Sequence, residues 1–348
     1  MKNKGLLAAV AVIVVALAGF AIYQGTQKDD KANGQTASSA TTAENSGADK
    51  QYTVGVLQLM SHPALDQIYE GIKEGLAAEG LEAGKNLTIN FQNGQGDQSK
   101  LNTMSQQLVQ DKSEVLIGIA TPAAQALDNN VKKKDIPIVL GAVTDPEGAG
   151  LVASNDAPGA NITGVSDQPP VEEIIALAKK MLPDAKKVGM LYASSEANSK
   201  YQVEKAAAKA KELGLEVVNK PVASTNEVAQ TVQILAGEVD FVFIPLDNTI
   251  ANAMETVAQE AEKQKLPVFP SVETMVEQGG VATIGVSQKE LGVQTGKMAA
   301  QIAKGEAEPA TTPIFTFSEG ETIINKAQAE ALGIQLTEEL TKGARFTE

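Results

Sequence analysis

The strongest constraint on the fold is a regular alternation of short apolar runs with longer segments of helical periodicity, which begins at Tyr52. Its first half predicts strands at 53–59, 87–91, 115–119 and 136–140, with helices at 63–79, 99–110 and 122–131. Apolar β-rich runs that alternate with helices are typical of βαβ units, in which right-handed crossovers build a parallel sheet.

The same alternation recurs in the second half, with predicted strands at 187–192, 215–219, 241–244 and 267–269 and helices at 196–213, 226–235, 248–265 and 289–304. Extended segments at 161–165 and 282–286 connect the two halves. A chain of 348 residues also exceeds one compact core of ordinary size. We therefore predict an α/β protein with two doubly wound parallel-sheet lobes joined by a three-segment hinge. Lobe 1 is expected to contain 51–166 and 285–311, and lobe 2 to contain 167–284 and 312–348.

The N-terminal segment has the composition of an export signal or a membrane anchor. Lys2 and Lys4 precede an uncharged apolar run that extends to Tyr23. A cleaved signal peptide needs a small-x-small site, which 16–18 supplies, whereas an uncleaved anchor needs roughly 17–25 apolar residues. The run continues past that site, which favours the anchor. We expect 1–25 to be the signal or anchor and 26–50, rich in small and polar residues, to be a disordered linker at the outer face of a membrane.

Charge and residue usage exclude several classes of function. The net charge is −14, and no basic stripe is present that would neutralise phosphates, so nucleic-acid binding is not expected. The chain has no cysteine, which excludes disulfides, thiol nucleophiles, cysteine zinc sites and a lipid-modified cysteine. His62 is the one histidine. We therefore expect no metal site and no cofactor.

Polar residues follow the predicted strands at their carboxyl ends, where open α/β sheets bind ligands. Two facing lobes place such a site in the cleft between them. Helix N-termini there suit a ligand carboxylate, and Asp145 or Asp247 suits an ammonium group, so a zwitterion fits. The alternative is that these residues are helix caps, with His62 structural at the cleft edge. The candidate ligand-binding residues are Ser61, His62, Thr121, Pro122, Thr144, Asp145, Ser195, Glu196, Asn198, Asp247 and Asn248.

Catalytic signatures are missing from the sequence. It contains no Walker-type phosphate loop, no G-x-G-x-x-G after the first strand and no G-x-S-x-G nucleophile elbow. The pair Glu172-Glu173 falls at a predicted helix start, where acidic side chains favour the helix dipole. A binding protein without enzymatic activity is therefore the preferred interpretation.

Several longer motifs resemble one family of binding proteins over about residues 52 to 335. The motifs are the stretches 62–66, 93–97, 120–125, 142–146, 161–167, 195–199 and 245–249, together with Gly71 and Gly75. The chain is similar in these stretches to the ABC-transporter substrate-binding family that includes tryptophan and tyrosine binders of Gram-positive bacteria.

This resemblance implies a type I periplasmic-binding-protein fold and delivery of the ligand to ABC permease subunits. We expect the protein to be extracytoplasmic, as its N-terminal segment indicates, and monomeric. It also implies an aromatic amino acid, namely tryptophan, tyrosine or phenylalanine, as the ligand. The alternatives are a ligand-sensing receptor component of the same fold and a binder of another amino acid or small polar ligand.

Overall fold

The computed structural model describes residues 50–131 and 135–347. The predicted signal or anchor at 1–25 and all but the last residue of the predicted linker at 26–50 lie outside the described residues. Within the described ranges, no helix combines the length and the apolar character that a membrane span requires.

Strands and helices alternate through the described chain as the sequence predicts. The strands are β1 Tyr52–Gln58, β2 Leu87–Asn93, β3 Val115–Ile119, β4 Ile138–Gly141, β5 Ile162–Ser166, β6 Lys187–Ala193, β7 Glu216–Val222, β8 Phe241–Ile244, β9 Val268–Pro270, β10 Ala282–Gly285, β11 Phe315–Thr316, β12 Glu321–Ile324 and β13 Arg345–Phe346. The helices are α1 Pro63–Ala78, α2 Gln98–Gln110, α3 Thr121–Asn130, α4 Val171–Met181, α5 Ala197–Glu212, α6 Val228–Ala236, α7 Asn248–Asn252, α8 Met254–Gln264, α9 Glu273–Glu277, α10 Gln288–Lys304, α11 Lys326–Ala331 and α12 Glu338–Thr341.

The first lobe is a six-stranded parallel sheet in the order β11-β5-β4-β3-β1-β2. Its central strands are buried along their whole length, as expected for a parallel sheet with helices on both faces. A side chain added at Gly118 would meet α3, whereas one at Gly141, which pairs opposite Ile119, would approach α10. The helices α3 and α10 therefore cover opposite faces of the sheet.

The second lobe contains a four-stranded parallel sheet in the order β7-β6-β8-β9 and a smaller sheet in the order β10-β12-β13. The core of the second lobe contains buried phenylalanine side chains, whereas the buried core of the first lobe is aliphatic. Phe241 and Phe269 meet edge to face with ring centroids 5.6 Å apart, and Phe243 is likewise fully buried. This edge-to-face geometry suits the opposite charge of ring edge and ring face.

Three local predictions differ from the structure. The segment 161–165, expected as a connection between lobes, forms most of β5 and pairs with β4. Strand β11 pairs with β5, so Phe315 and Thr316 belong to the first sheet although the predicted boundary of lobe 1 was residue 311. The helix predicted at 248–265 is divided at Ala253, whose φ of −109° and ψ of 14° are not helical.

Four glycines bring α1 and α10 into backbone contact. An added Cβ would lie 2.1 Å from a carbonyl oxygen of the partner helix at Gly71, Gly75 and Gly292, and 2.2 Å from one at Gly296. Because these neighbours are backbone atoms, they cannot rotate away as a side chain can. The two helices therefore pack at a distance that only glycine permits, and each presents its N-terminal end to the region between the lobes.

Candidate functional site

A cavity lies between the two lobes, at the carboxyl ends of strands from both sheets. Its volume is about 30 Å³, so its walls lie close together. The first lobe supplies the residues that follow β1, β3 and β4, and the second lobe supplies the residues that follow β8 and begin α5. This is the position at which open α/β sheets bind ligands.

The structure brings six of the eleven candidate residues to the wall of this cavity. They are His62, Thr121, Thr144, Asn198, Asp247 and Asn248. Each follows a strand or begins a helix, so the rule that selected them is the reason they converge. Their contact with a ligand stays a prediction.

Four other candidates lie outside the cavity wall. Ser61 is exposed, and its hydroxyl donates to the carboxylate of Asp66 at 2.7 Å. Ser195 is also exposed, and Pro122 is half-buried in the first turn of α3. Asp145 lines a neighbouring recess, where its carboxylate accepts a hydrogen bond from the backbone of its own turn at 3.0 Å. For these residues the structure agrees with the alternative interpretation, in which they belong to turns and helix starts and do not contact the ligand.

Glu196, the remaining candidate, is buried behind the cavity wall, where it holds the N-terminus of α7. One carboxylate oxygen accepts from the backbone N–H of Asn248 at 3.1 Å and from its side-chain amide at 2.6 Å. The other accepts from the backbone N–H and the hydroxyl of Thr249, at 2.9 and 2.8 Å. A carboxylate with four donors at a helix N-terminus is a strong cap. Glu196 therefore positions Asn248.

Asp247 lines the cavity, but both of its carboxylate oxygens are already bound. One accepts from the N–H of Ile250 at 2.8 Å, as an N-cap does, and the other accepts from the N–H of Ala193 at 2.6 Å. Burial, together with the nearby charge of Glu196, raises the pKa of Asp247 to about 7. Asp247 thus connects α7 to the end of β6, and it is a poor candidate for an ammonium partner.

His62 and Asn248 connect the two lobes across the cavity. The His62 Nε2 atom lies 3.2 Å from the Asn248 Oδ1 atom. The amide group of Asn248 donates to Glu196, which turns its oxygen towards the imidazole. Burial lowers the pKa of His62, so the ring is neutral near pH 7 and donates through Nε2. We call this contact the interlobe latch.

Asp167 is a cavity residue that the list of candidates missed. It follows β5, and one of its carboxylate oxygens accepts a hydrogen bond from the Thr144 hydroxyl at 2.9 Å. Burial raises the pKa of Asp167 to about 6. The same strand-end rule would have found it if 161–165 had been read as a strand. Asp167 is therefore the cavity carboxylate whose position best suits a cationic group.

Apolar side chains form much of the rest of the wall, and they too were not predicted. They are Ala64, Leu65, Ala120, Ala142, Leu246, Ala251, Val272 and Met275. Ala64 belongs to the first lobe but packs within the apolar core of the second lobe, together with Ala251, Val272 and Met275. The cavity wall therefore combines these apolar side chains with the polar groups of Thr121, Thr144 and Asp167.

Comparison with known proteins assigns this architecture to a family. Residues 53–347 match the family described as ABC transporter substrate binding protein. The chain belongs to this family. A tyrosine-binding protein of Clostridioides difficile (strain R20291) is 35% identical to this substrate-binding protein over 335 residues, which cover 96% of this chain and 94% of the relative.

Solved structures agree with the assignment and with the type I periplasmic-binding-protein fold. The ABC domain from Streptococcus pneumonia in complex with L-Trp is 46% identical, with a TM-score of 0.83 over 86% of this chain and 100% of that chain. A ligand-free, open substrate binding protein with adhesive properties from Clostridium difficile is 35% identical, with a TM-score of 0.66 over 85% and 99%.

The lobes of this substrate-binding protein are closed on each other. The interlobe latch joins His62 to Asn248, and Ala64 packs in the core of the opposite lobe. The cavity described above is therefore that of a closed cleft.

Two residues of the cavity wall have a strained backbone. Ala120 has a φ of 76° and a ψ of 154°, a region that is populated almost only by glycine, and Ala142 has a φ of 58°. Both residues follow strands of the first sheet, and both line the cavity. Strain of this kind costs of order 1–3 kcal/mol per residue and persists where the surrounding structure imposes it.

Replacing Ala120 by glycine is expected to raise the free energy of unfolding by about 1 kcal/mol. Relief of the strain outweighs the roughly 0.5–1 kcal/mol that glycine costs in backbone entropy. Chemical denaturation followed by circular dichroism measures this change. As a control, Ala123→Gly in the first turns of the same helix should lower stability, because Ala123 is buried and helical. A loss of stability in Ala120→Gly as large as in the control would contradict the strain at Ala120.

Proposed function

We propose that this chain binds an aromatic amino acid in the interlobe cavity and delivers it to the permease subunits of an ABC importer. The observation that carries the proposal is a cavity wall that combines polar groups with apolar side chains. A zwitterionic head group with an apolar side chain matches that combination. The names of the tyrosine-binding relative and of the structure in complex with L-Trp support the same ligand class.

The polar groups of the wall offer a partner for each charge of the ligand. The first turn of α3 begins at Thr121, next to Pro122, and its backbone N–H groups and hydroxyl suit the α-carboxylate. The Asp167 carboxylate, held by Thr144, suits the α-ammonium group. Asn198, whose side-chain oxygen is buried without a partner among the described residues, supplies a further acceptor for this group. The proposed ligand contacts are thus Thr121, Thr144, Asp167 and Asn198.

The mechanism that we infer is closure of the lobes around the ligand without chemistry. A ligand that contacts both lobes stabilises the closed form, because only that form provides all of its contacts. The interlobe latch adds a hydrogen bond that the open form cannot make. Membership of a substrate-binding family supports this non-enzymatic function. The protein would act outside the cytoplasm as a monomer, secreted or tethered by 1–25, where it can reach the permease.

Isothermal titration of the full-length chain with L-tyrosine, L-tryptophan and L-phenylalanine tests the proposal. We expect saturable heat with at least one of them and a matching rise in the melting temperature, because a ligand that binds only the folded form stabilises it. L-Leucine, which lacks the ring, and D-tyrosine, which reverses the head group, serve as controls. Mass spectrometry of ligand carried through native purification is an independent measurement. If no aromatic amino acid produced heat or a thermal shift, the proposal would be wrong.

A further inference from the structure

The His62 ring leaves one nitrogen without a partner. His62 is only 6% exposed and lines the cavity, and its Nε2 atom is engaged in the interlobe latch. Its Nδ1 atom is buried and has no hydrogen-bond partner among the described residues. An unpartnered buried polar atom lowers stability. A ligand in the cavity can supply the missing partner.

The chemistry of this nitrogen is fixed by the latch. Glu196 binds the amide N–H of Asn248, so the Asn248 oxygen faces the imidazole and Nε2 must carry the ring proton. In a neutral imidazole with its proton on Nε2, Nδ1 is a hydrogen-bond acceptor. The partner that fits the vacant nitrogen is therefore a donor, an O–H or an N–H group.

The surroundings of His62 indicate which part of the ligand it meets. Ala64, two residues further along the chain, packs with Ala251, Val272 and Met275, and these apolar side chains line the cavity. The charged head group has its own proposed partners, Asp167 among them, at strand ends of the first sheet. In the proposed arrangement, Nδ1 therefore lies beside the side chain of the bound ligand.

We propose that His62 Nδ1 accepts a hydrogen bond from the ring substituent of the ligand, the phenol O–H of tyrosine or the indole N–H of tryptophan. His62 is then a specificity-determining residue that favours these ligands over phenylalanine, whose ring carries no donor. The inference rests on the proposed function. It adds that the site selects for a ring that carries a hydrogen-bond donor, and that His62 Nδ1 is the atom that accepts this hydrogen bond.

Two substitutions separate this role from the latch. In His62→Gln, the longer side chain brings an amide donor to the position of Nε2 and leaves no acceptor at the position of Nδ1. In His62→Asn, the shorter side chain places an oxygen near the position of Nδ1 and cannot reach Asn248. The first variant keeps the latch and removes the acceptor, and the second does the reverse.

Titration of the wild type and both variants with L-tyrosine and L-phenylalanine tests the assignment. The wild type is expected to bind tyrosine about tenfold more tightly than phenylalanine, as one buried hydrogen bond provides. His62→Gln should reduce this ratio to about threefold or less. His62→Asn should weaken both ligands while the ratio is kept. An unchanged ratio in His62→Gln would overturn the assignment, and so would its loss in His62→Asn alone.

The ring nitrogens give a second readout that needs no variant. Because His62 is the chain's one histidine, ¹⁵N-histidine labelling of protein without a polyhistidine tag yields the signals of a single imidazole. Tyrosine should shift the Nδ1 resonance, and phenylalanine should leave it near its position in free protein. Equal shifts with both ligands would overturn the assignment while leaving aromatic binding intact. Absence of binding by all the aromatic amino acids would instead refute the proposed function itself.

Discussion

Replacing Gly296 by alanine is expected to lower the free energy of unfolding by about 1–2 kcal/mol. The new Cβ would lie 2.2 Å from the Ile72 carbonyl oxygen, where an ordinary contact needs more than 3 Å. Helices α1 and α10 must therefore separate, and overpacking of this kind typically costs 1–3 kcal/mol. Alanine recovers roughly 1 kcal/mol of helix propensity, but the lost packing along the whole helix pair exceeds that gain. Denaturant unfolding measured by circular dichroism gives the difference.

Gly237→Ala is the matched control for this substitution. Its added Cβ would meet nothing nearer than 3.6 Å, and its φ of −87° suits any residue. We expect a change within about 0.5 kcal/mol, as at ordinary surface positions. Equal stabilities of Gly296→Ala and Gly237→Ala would show that α1 and α10 are not packed as closely as described.

Separation of the two helices should also weaken ligand binding. His62 precedes the first turn of α1, and Gln288 begins α10, and both residues line the cavity. The glycine contacts therefore fix the spacing of two segments of the cavity wall. The long-range consequence is testable in the same variant, because Gly296 itself does not line the cavity.

The sequence predicts the main elements of the fold because the apolar runs of its strands and the helical spacing of its helices are both clear. Fully apolar runs such as Val115–Ile119 lead to buried parallel strands, and the segments between them have helical spacing. Prediction from the sequence fails where tertiary contacts decide which strands pair and where a helix breaks. Strand β11 has two residues, Phe315 and Thr316, too few for any period to be read. No glycine or proline at Ala253 indicates that the helix breaks there.

The site is predicted in location but only partly in detail. The strand-end rule finds the cleft, because chain topology alone places those residues at one edge of each sheet. It cannot distinguish a residue that caps a helix from one that faces a ligand, since both are polar and occupy the same turns. Glu196 and Asp247 illustrate this, because their oxygens are taken up by nearby N–H groups. The apolar wall, with residues such as Met275 from a short helix, needs the three-dimensional arrangement.

Two buried carboxylates beside α7 show how the fold prepares the second lobe for closure. Asp247 fixes the start of this short helix to β6, and Glu196 fixes the side chain of Asn248. Asn248 thus presents its oxygen to His62 in a single orientation. Because the side chain is held before the lobes meet, less conformational entropy is lost when the latch forms.

Replacing Asp167 by asparagine is expected to weaken the binding of the aromatic amino acid by about 10- to 100-fold. The amide oxygen can still accept the Thr144 hydroxyl, so the turn is kept, but the charge that attracts the α-ammonium group is removed. A hydrogen bond between charged groups contributes roughly 1.5–3 kcal/mol, which corresponds to this range of affinity. Isothermal titration measures the loss. Asp145→Asn, in the neighbouring recess, is the matched control and should bind as the wild type does.

The pH dependence of binding identifies the Asp167 charge independently. Burial raises the pKa of Asp167 to about 6, and a bound ammonium group would lower this pKa again, since it stabilises the carboxylate. Ligand binding therefore releases a proton below about pH 6. Wild-type affinity should be constant above that pH and fall by up to tenfold per pH unit below it. Asp167→Asn should lose this dependence, whereas Asp145→Asn should keep it. A wild-type affinity that stays constant from pH 7 to pH 4.5 would mean that Asp167 does not bind the ammonium group.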